Sequence, residues 1–235
     1  MAEGTHPRPA DVGTPPDGAP AGSSWRRLGV LIPGARARRR QIAKHGEAWD
    51  AANKAALGAD GPLWLVLGDS TAQAIGASSI DSGYVGRVRA FLEVRDSRPW
   101  RVLNLSKSGA LAADVVADQL PRLVELAPQL VSCAVGANDL LRRSGDLDRS
   151  LGEIAVALPA GSLLANIPRG LREGEAKRVN DRIAELVVAH DLKVVDLWSA
   201  TGPPWKGKYA ADWFHPNDVG YGYWVRAFED ALRTA

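Results

Sequence analysis

From residue 61 onward, short apolar runs alternate with longer stretches in which apolar residues recur every three or four positions. The runs fall at 63–67, 100–105, 130–135, 162–167 and 193–197. Apolar runs of this length, ended by turn signals, are the pattern of strands buried on both faces. Between them, helical spacing is carried by Tyr84, Val85, Val88, Phe91 and Leu92 over 84–94. It returns over 112–126 with Val115, Val116, Leu120, Leu123 and Val124 inward. A weaker helix is predicted over 147–158. Another covers 173–190, with Ile183, Leu186 and Val187 on one face, and a last one covers 217–232. Strands alternating with helices of this length imply right-handed crossovers, hence a five-stranded parallel sheet covered on both faces, a three-layer α/β/α sandwich. No internal repeat is present.

The first 60 residues do not follow this pattern. Residues 1–24 are rich in Pro, Gly, Ala and Thr with almost no large apolar side chain. Such a segment buries too little surface to offset the cost of ordering, and a disordered tail is expected. Residues 25–60 form a basic extension. No acid lies between Asp17 and Glu47, while Arg26, Arg27, Arg36, Arg38, Arg39, Arg40 and Lys44 are all basic. The absence of proline over 36–57 predicts a helix ending near Gly58, packed beside the domain through Ile42, Trp49 and Leu57. Arg26-Arg27 followed by an apolar segment has the outline of a twin-arginine export signal. That segment is shorter than the ~7–15 residues expected, and a basic run follows it, so a cytoplasmic location is expected. The extension's charge would also allow a weak contact with an anionic membrane surface.

At 235 residues the chain is long enough for one domain with a full core, assigned to 61–235, and short for two. A net charge of +2 gives no reason to expect a nucleic-acid partner. The single cysteine, Cys133, sits in an apolar run, which points to packing. Four histidines without a short metal-ligand pair leave no zinc pattern. Oligomeric state is not legible.

In a parallel sheet the residues just after each strand converge on one edge. After the first strand comes Ser70, after the second Gly109, and after the third Asn138. Asp212 and His215 precede the last helix. Each has an ordinary role available: Ser70 as a helix cap, Asn138-Asp139 as a loop followed by a helix cap, Gly109 in a turn, and Asp212 with His215 as a capping pair before Pro216. Their joint placement on one edge favours chemistry. Serine is a nucleophile only if a base takes its proton, and of the four histidines only His215 falls on that edge. Asp212, three residues earlier, could orient His215 and leave Nε2 to face Ser70. The amides of Ser70 and Gly109 and the carboxamide of Asn138 are candidate donors to an oxyanion. Trp205, Trp213, Phe214, Tyr221 and Tyr223 cluster near this segment, either as core or as the lining of an acyl or sugar pocket.

The blocks Gly68-Asp69-Ser70, Asn104-Leu105-Ser106-Lys107-Ser108-Gly109, Gly136-Ala137-Asn138-Asp139 and Asp212-Trp213-Phe214-His215-Pro216 resemble, in order, the four blocks of the SGNH hydrolases, or GDSL esterases and lipases. Thr71 replaces the leucine of the GDSL name. The resemblance implies a flavodoxin-like fold and a cofactor-independent hydrolase of small-molecule esters or thioesters. It implies Ser70 as nucleophile, His215 as base and Asp212 as its orienter, with Ser70, Gly109 and Asn138 as the oxyanion hole. An acyltransferase and a non-catalytic binding module are the alternatives. Residues 1–60 have no counterpart in the family's pattern.

Overall fold

The computed structural model describes residues 35–233. The tail expected at 1–24 and the Arg26-Arg27 segment lie outside the described residues. The order from there is helix α1 (Ala35–Leu57), strand β1 (Leu63–Gly68), α2 (Tyr84–Asp96), β2 (Arg101–Asn104), α3 (Ala112–Asp114), a π-helical turn (Val115–Gln119) and α4 (Pro121–Leu126). It continues with β3 (Leu130–Ala134), α5 (Ala137–Arg142), α6 (Leu147–Ala157), β4 (Leu163–Ala165), α7 (Glu173–Ala189), β5 (Lys193–Val195), α8 (Leu197–Ala200) and α9 (Asp218–Arg233).

All strand pairs are parallel, and the sheet order is β2-β1-β3-β4-β5. This is the three-layer, flavodoxin-like arrangement that the sequence implies. The unbroken apolar character of β1 follows from its position: all six of its residues are buried. Trp64 and Val66 enter one core with Tyr84, Val88, Leu92, Trp224 and Phe228. Leu63, Leu65 and Leu67 enter the other with Val115, Leu151, Ile154, Ile183 and Leu186. Fully burying each large side chain is worth about 1.5–3 kcal/mol, so the two cores hold the sheet rigid beneath the edge where the candidate residues lie.

Several expectations are corrected. The helix predicted over 112–126 is interrupted: Pro121 has no amide to continue it, and the π-helical turn adds a residue to the period. The helical spacing is thereby lost, and Val124 is 88% exposed instead of inward. Strands four and five are shorter than their apolar runs, the fifth because Leu197 already begins α8. Helix α5 was not visible in the apolar pattern. Helix α1 packs through Trp49 as expected, but Leu57 is exposed.

Helix α1 also closes an edge of the sheet. Asn53 donates from Nδ2 to the Asn104 carbonyl and accepts the Asn104 amide, both at 2.8 Å. The outer backbone groups of edge strand β2 are thus satisfied at the residue where the strand ends.

Candidate active site

From β1 the chain passes to β2 on one side and from β2 crosses back to β3 on the other, so the crevice beyond β1 and β3 is the topological switch point where ligands of such sheets bind. Ser70 lies there, two residues past β1. No helix begins at it; residues 69–83 form turns, and α2 starts only at Tyr84, which corrects the helix-cap reading. Instead the Ile75 amide donates to the Ser70 carbonyl at 3.0 Å, and Asp69 Oδ1 accepts from the Thr71 amide and hydroxyl at 2.9 and 2.8 Å. These bonds wrap the turn tightly around the serine. Burial pushes the Asp69 carboxyl above its usual range, against the pull of the two Thr71 bonds.

His215 arrives from the other end of the chain. Its Nε2 lies 2.8 Å from Ser70 Oγ, and its Nδ1 lies 2.6 Å from Asp212 Oδ2. Asp212 Oδ1 accepts the amides of Phe214 and His215 at 3.1 and 3.0 Å. Burial opposes ionisation of Asp212, but the His215 ring and the two amides outweigh it and hold the carboxyl well below the usual carboxylate range. A carboxylate in that state only accepts. The Nδ1 proton therefore sits between the two side chains, and Nε2 is left as the acceptor of the Ser70 hydroxyl proton. The last helix is capped by Asn217, whose Oδ1 accepts the Val219 and Gly220 amides, so Asp212 and His215 are not spent on capping.

The donors named for an oxyanion fare differently. Neither the Ser70 amide nor the Gly109 amide meets an acceptor among the described residues. Gly109 holds φ +84°, which keeps its peptide in a conformation that a side chain would resist. Asn138, on the first turn of α5, is anchored: its Nδ2 donates to Ala110 O at 3.0 Å and lies 3.4 Å from Asp69 Oδ2. It thus ties the segment after Gly109 to the residue before Ser70.

Beside the Ser70 turn opens a cleft of about 310 Å³. Asp69, Thr71, Phe214 and Pro216, the chain neighbours of Ser70 and His215, form one wall, and Ile167, Pro168, Leu197, Trp205 and Trp224 form much of the rest. Trp213 stands at it with 79% of its surface exposed. Of the aromatic cluster, Trp205, Trp213 and Phe214 line this cleft. Tyr221 is core, its hydroxyl donating to Ile75 O at 2.7 Å, and Tyr223 lies under the Lys208 ammonium. Burial pushes the Cys133 thiol up to about 12, in keeping with packing.

Three contributors carry no sequence signal. Gln119, buried on the π-helical turn, accepts the Gly68 amide at 2.8 Å and donates to the Gly68 carbonyl at 2.9 Å, pinning the end of β1. Gln41 and His45 of α1 bond the turn after Ser70. Only a helix long enough to reach the edge, with two polar residues four apart facing inward, would have hinted at the latter pair.

No curated protein sequence matches the chain. Among solved structures it is similar to TesA, with a TM-score of 0.61 and 26% identity over 73% of this chain and 98% of TesA. It is also similar to LAE5, an α/β hydrolase enzyme from the metagenome of Lake Arreo, Spain (0.60, 23%, over 74% of this chain and 96% of LAE5). A third is Axe2, an acetylxylan esterase from Geobacillus stearothermophilus (0.62, 20%, over 74% and 94%). The model of the GDSL-like lipase/acylhydrolase family matches residues 66–223, a span that runs from β1 into α9 and contains Ser70, Asp212 and His215. The chain therefore belongs to the GDSL-like lipase/acylhydrolase family, and is an ester hydrolase of that family.

Proposed function

We propose that this hydrolase cleaves carboxylic esters or thioesters through an acyl-enzyme on Ser70. The observation that carries the reading is the line of two hydrogen bonds from Ser70 Oγ through His215 to Asp212, at 2.8 and 2.6 Å. His215 Nε2 takes the hydroxyl proton as Ser70 Oγ attacks the acyl carbon. The carbonyl oxygen becomes an oxyanion, received by the free amides of Ser70 and Gly109. The Asn138 hydrogen that now faces Asp69 across the longer of its two contacts turns to the same oxyanion. The tetrahedral intermediate collapses, the C–O or C–S bond to the leaving group breaks, and the proton on Nε2 passes to the departing oxygen or sulfur. Water then attacks the acyl-Ser70 ester, with His215 again as base, and releases the carboxylic acid. Asp212, ionised throughout, holds the imidazole in the required tautomer and offsets its charge when protonated. The apolar walls of the adjoining cleft suit the acyl part of the substrate.

Hydrolysis of p-nitrophenyl esters of graded chain length tests the reading. Turnover is expected in the wild type and is expected to vanish in Ser70→Ala with an unchanged circular-dichroism spectrum. Persistent turnover in that variant would remove Ser70 from the mechanism.

A further inference from the structure

Helix α1 lies outside the matched family segment, yet it grips the serine-bearing turn at several points. Gln41 Nε2 donates to Ala77 O at 2.6 Å, and Gln41 Oε1 accepts the Gly76 amide at 2.9 Å. One turn on, His45 is 2% exposed and donates from Nδ1 to Gln73 O at 3.1 Å. Asn53 binds Asn104, whose own Nδ2 donates to Ala72 O at 2.8 Å. Arg38 Nη1 stands 3.8 Å from Asp212 Oδ2, but its half-exposed side chain makes that ion pair weak.

The two Gln41 bonds fall where position matters most. Gly76 holds φ +97°, and a Cβ there would lie 2.9 Å from His215 Cβ and inside contact distance of the Pro216 carbonyl. The Gly76 backbone is therefore the surface on which the His215 segment rests. Gln41 fixes the N–H of Gly76 and the carbonyl of the next residue with one side-chain amide. On the other flank, Gln119 does the same for the N–H and carbonyl of Gly68. The stretch bearing Ser70 is thus held near both ends by a glutamine amide, one from the family domain and one from the appended helix.

We infer that α1 is a working part of the active site, with Gln41 a positioning residue that sets the seam between the Ser70 turn and the His215 segment. The inference rests on the Ser70–His215 reading given above. A helix that merely covers the core through Trp49 would affect melting temperature alone. A helix that fixes the seam affects the rate of serine attack, because misplacing reacting groups by even about 1 Å can cost up to ~100-fold.

The test uses the full chain with three variants: Gln41→Met, of similar length but without the amide; Gln41→Glu, which keeps an acceptor for the Gly76 amide; and Arg39→Ala, on an exposed position of the same helix. Gln41→Met is expected to lower kcat about tenfold with KM changed less than about twofold, and to slow fluorophosphonate labelling in step. Gln41→Glu is expected to fall between it and the wild type, and Arg39→Ala to match the wild type. Wild-type kcat and labelling rate in Gln41→Met, with or without a lower melting temperature, would overturn the inference. If Gln41→Met does not fold, Gln41→Glu decides: reduced kcat at an unchanged melting temperature supports the inference, and wild-type kcat overturns it. Ser70→Ala separates the two claims. An active Ser70→Ala removes the Ser70 reading, whereas an inactive one beside an unaltered Gln41→Met removes only the role of α1.

Discussion

Three donors converge on the Asp212 carboxylate, and two of them are backbone amides one and two residues beyond the chain's next side chain. The three-residue spacing in Asp-x-x-His works because the intervening chain folds its own N–H groups back onto Oδ1 and leaves Oδ2 for the imidazole. The depressed carboxyl has a consequence for stability. Its contribution is complete above the unfolded value of about 3.9 and is lost as pH falls through the lower folded value. Asp212→Asn is therefore expected to have a lower urea midpoint than the wild type at pH 5 to 7, with the two converging as pH falls toward about 2. A gap that stays constant across that range would contradict the account. Asn138 gives a second prediction at this scale. On the mechanism proposed above, replacing it by Ala removes one oxyanion donor and is expected to lower kcat on p-nitrophenyl esters by about 10²–10³ while leaving KM near its starting value. The convergence of Ser70, Asp212 and His215 was legible from residue type and from placement after the first strand and before the last helix. The anchoring of Asn138 to Ala110 and Asp69 was not, because a backbone carbonyl leaves no mark in the sequence.

At the scale of elements, legibility followed periodicity. Strand β1 has an unbroken apolar run and helix α9 an amphipathic one, and both were placed to within a residue or so. The segment after β2 misled because a π-helical turn shifts the period, and this shift is what brings Gln119 onto Gly68. Helix α1 was legible as a helix but not as a neighbour of the site, since its contacts run through polar side chains that look solvent-facing in a basic stretch. Helix α9 does more than close the core. Phe228 stacks on Tyr84 with ring centroids 4.6 Å apart, and two turns earlier on the same face Tyr221 holds the Ile75 carbonyl of the Ser70 turn. Phe228→Ala is expected to cost about 3–5 kcal/mol of stability, read as a lower denaturation midpoint, because Phe228 is fully buried between two layers. A loss under ~1 kcal/mol would mean that the core collapses freely around the vacated space.

For the molecule as a whole, the parallel sheet converts sequence distance into proximity. Ser70 and His215 are 145 residues apart in the chain and meet because β1 ends at the switch point and α9 begins beside it. No described helix is long and apolar enough to cross a membrane. The fold class was legible because strand–helix alternation admits few topologies; of the cleft only Trp205, Trp213 and Phe214 were named as candidate lining, because much of its wall comes from loops whose paths have no periodic signature. The central claim is that this arrangement activates one serine among the many in the chain. The most direct measurement is labelling of the full chain with a fluorophosphonate, followed by mass mapping of the modified residue. The account predicts one adduct per chain, on Ser70, and none in His215→Ala. Labelling at another residue, or at Ser70 with equal speed in His215→Ala, would contradict it.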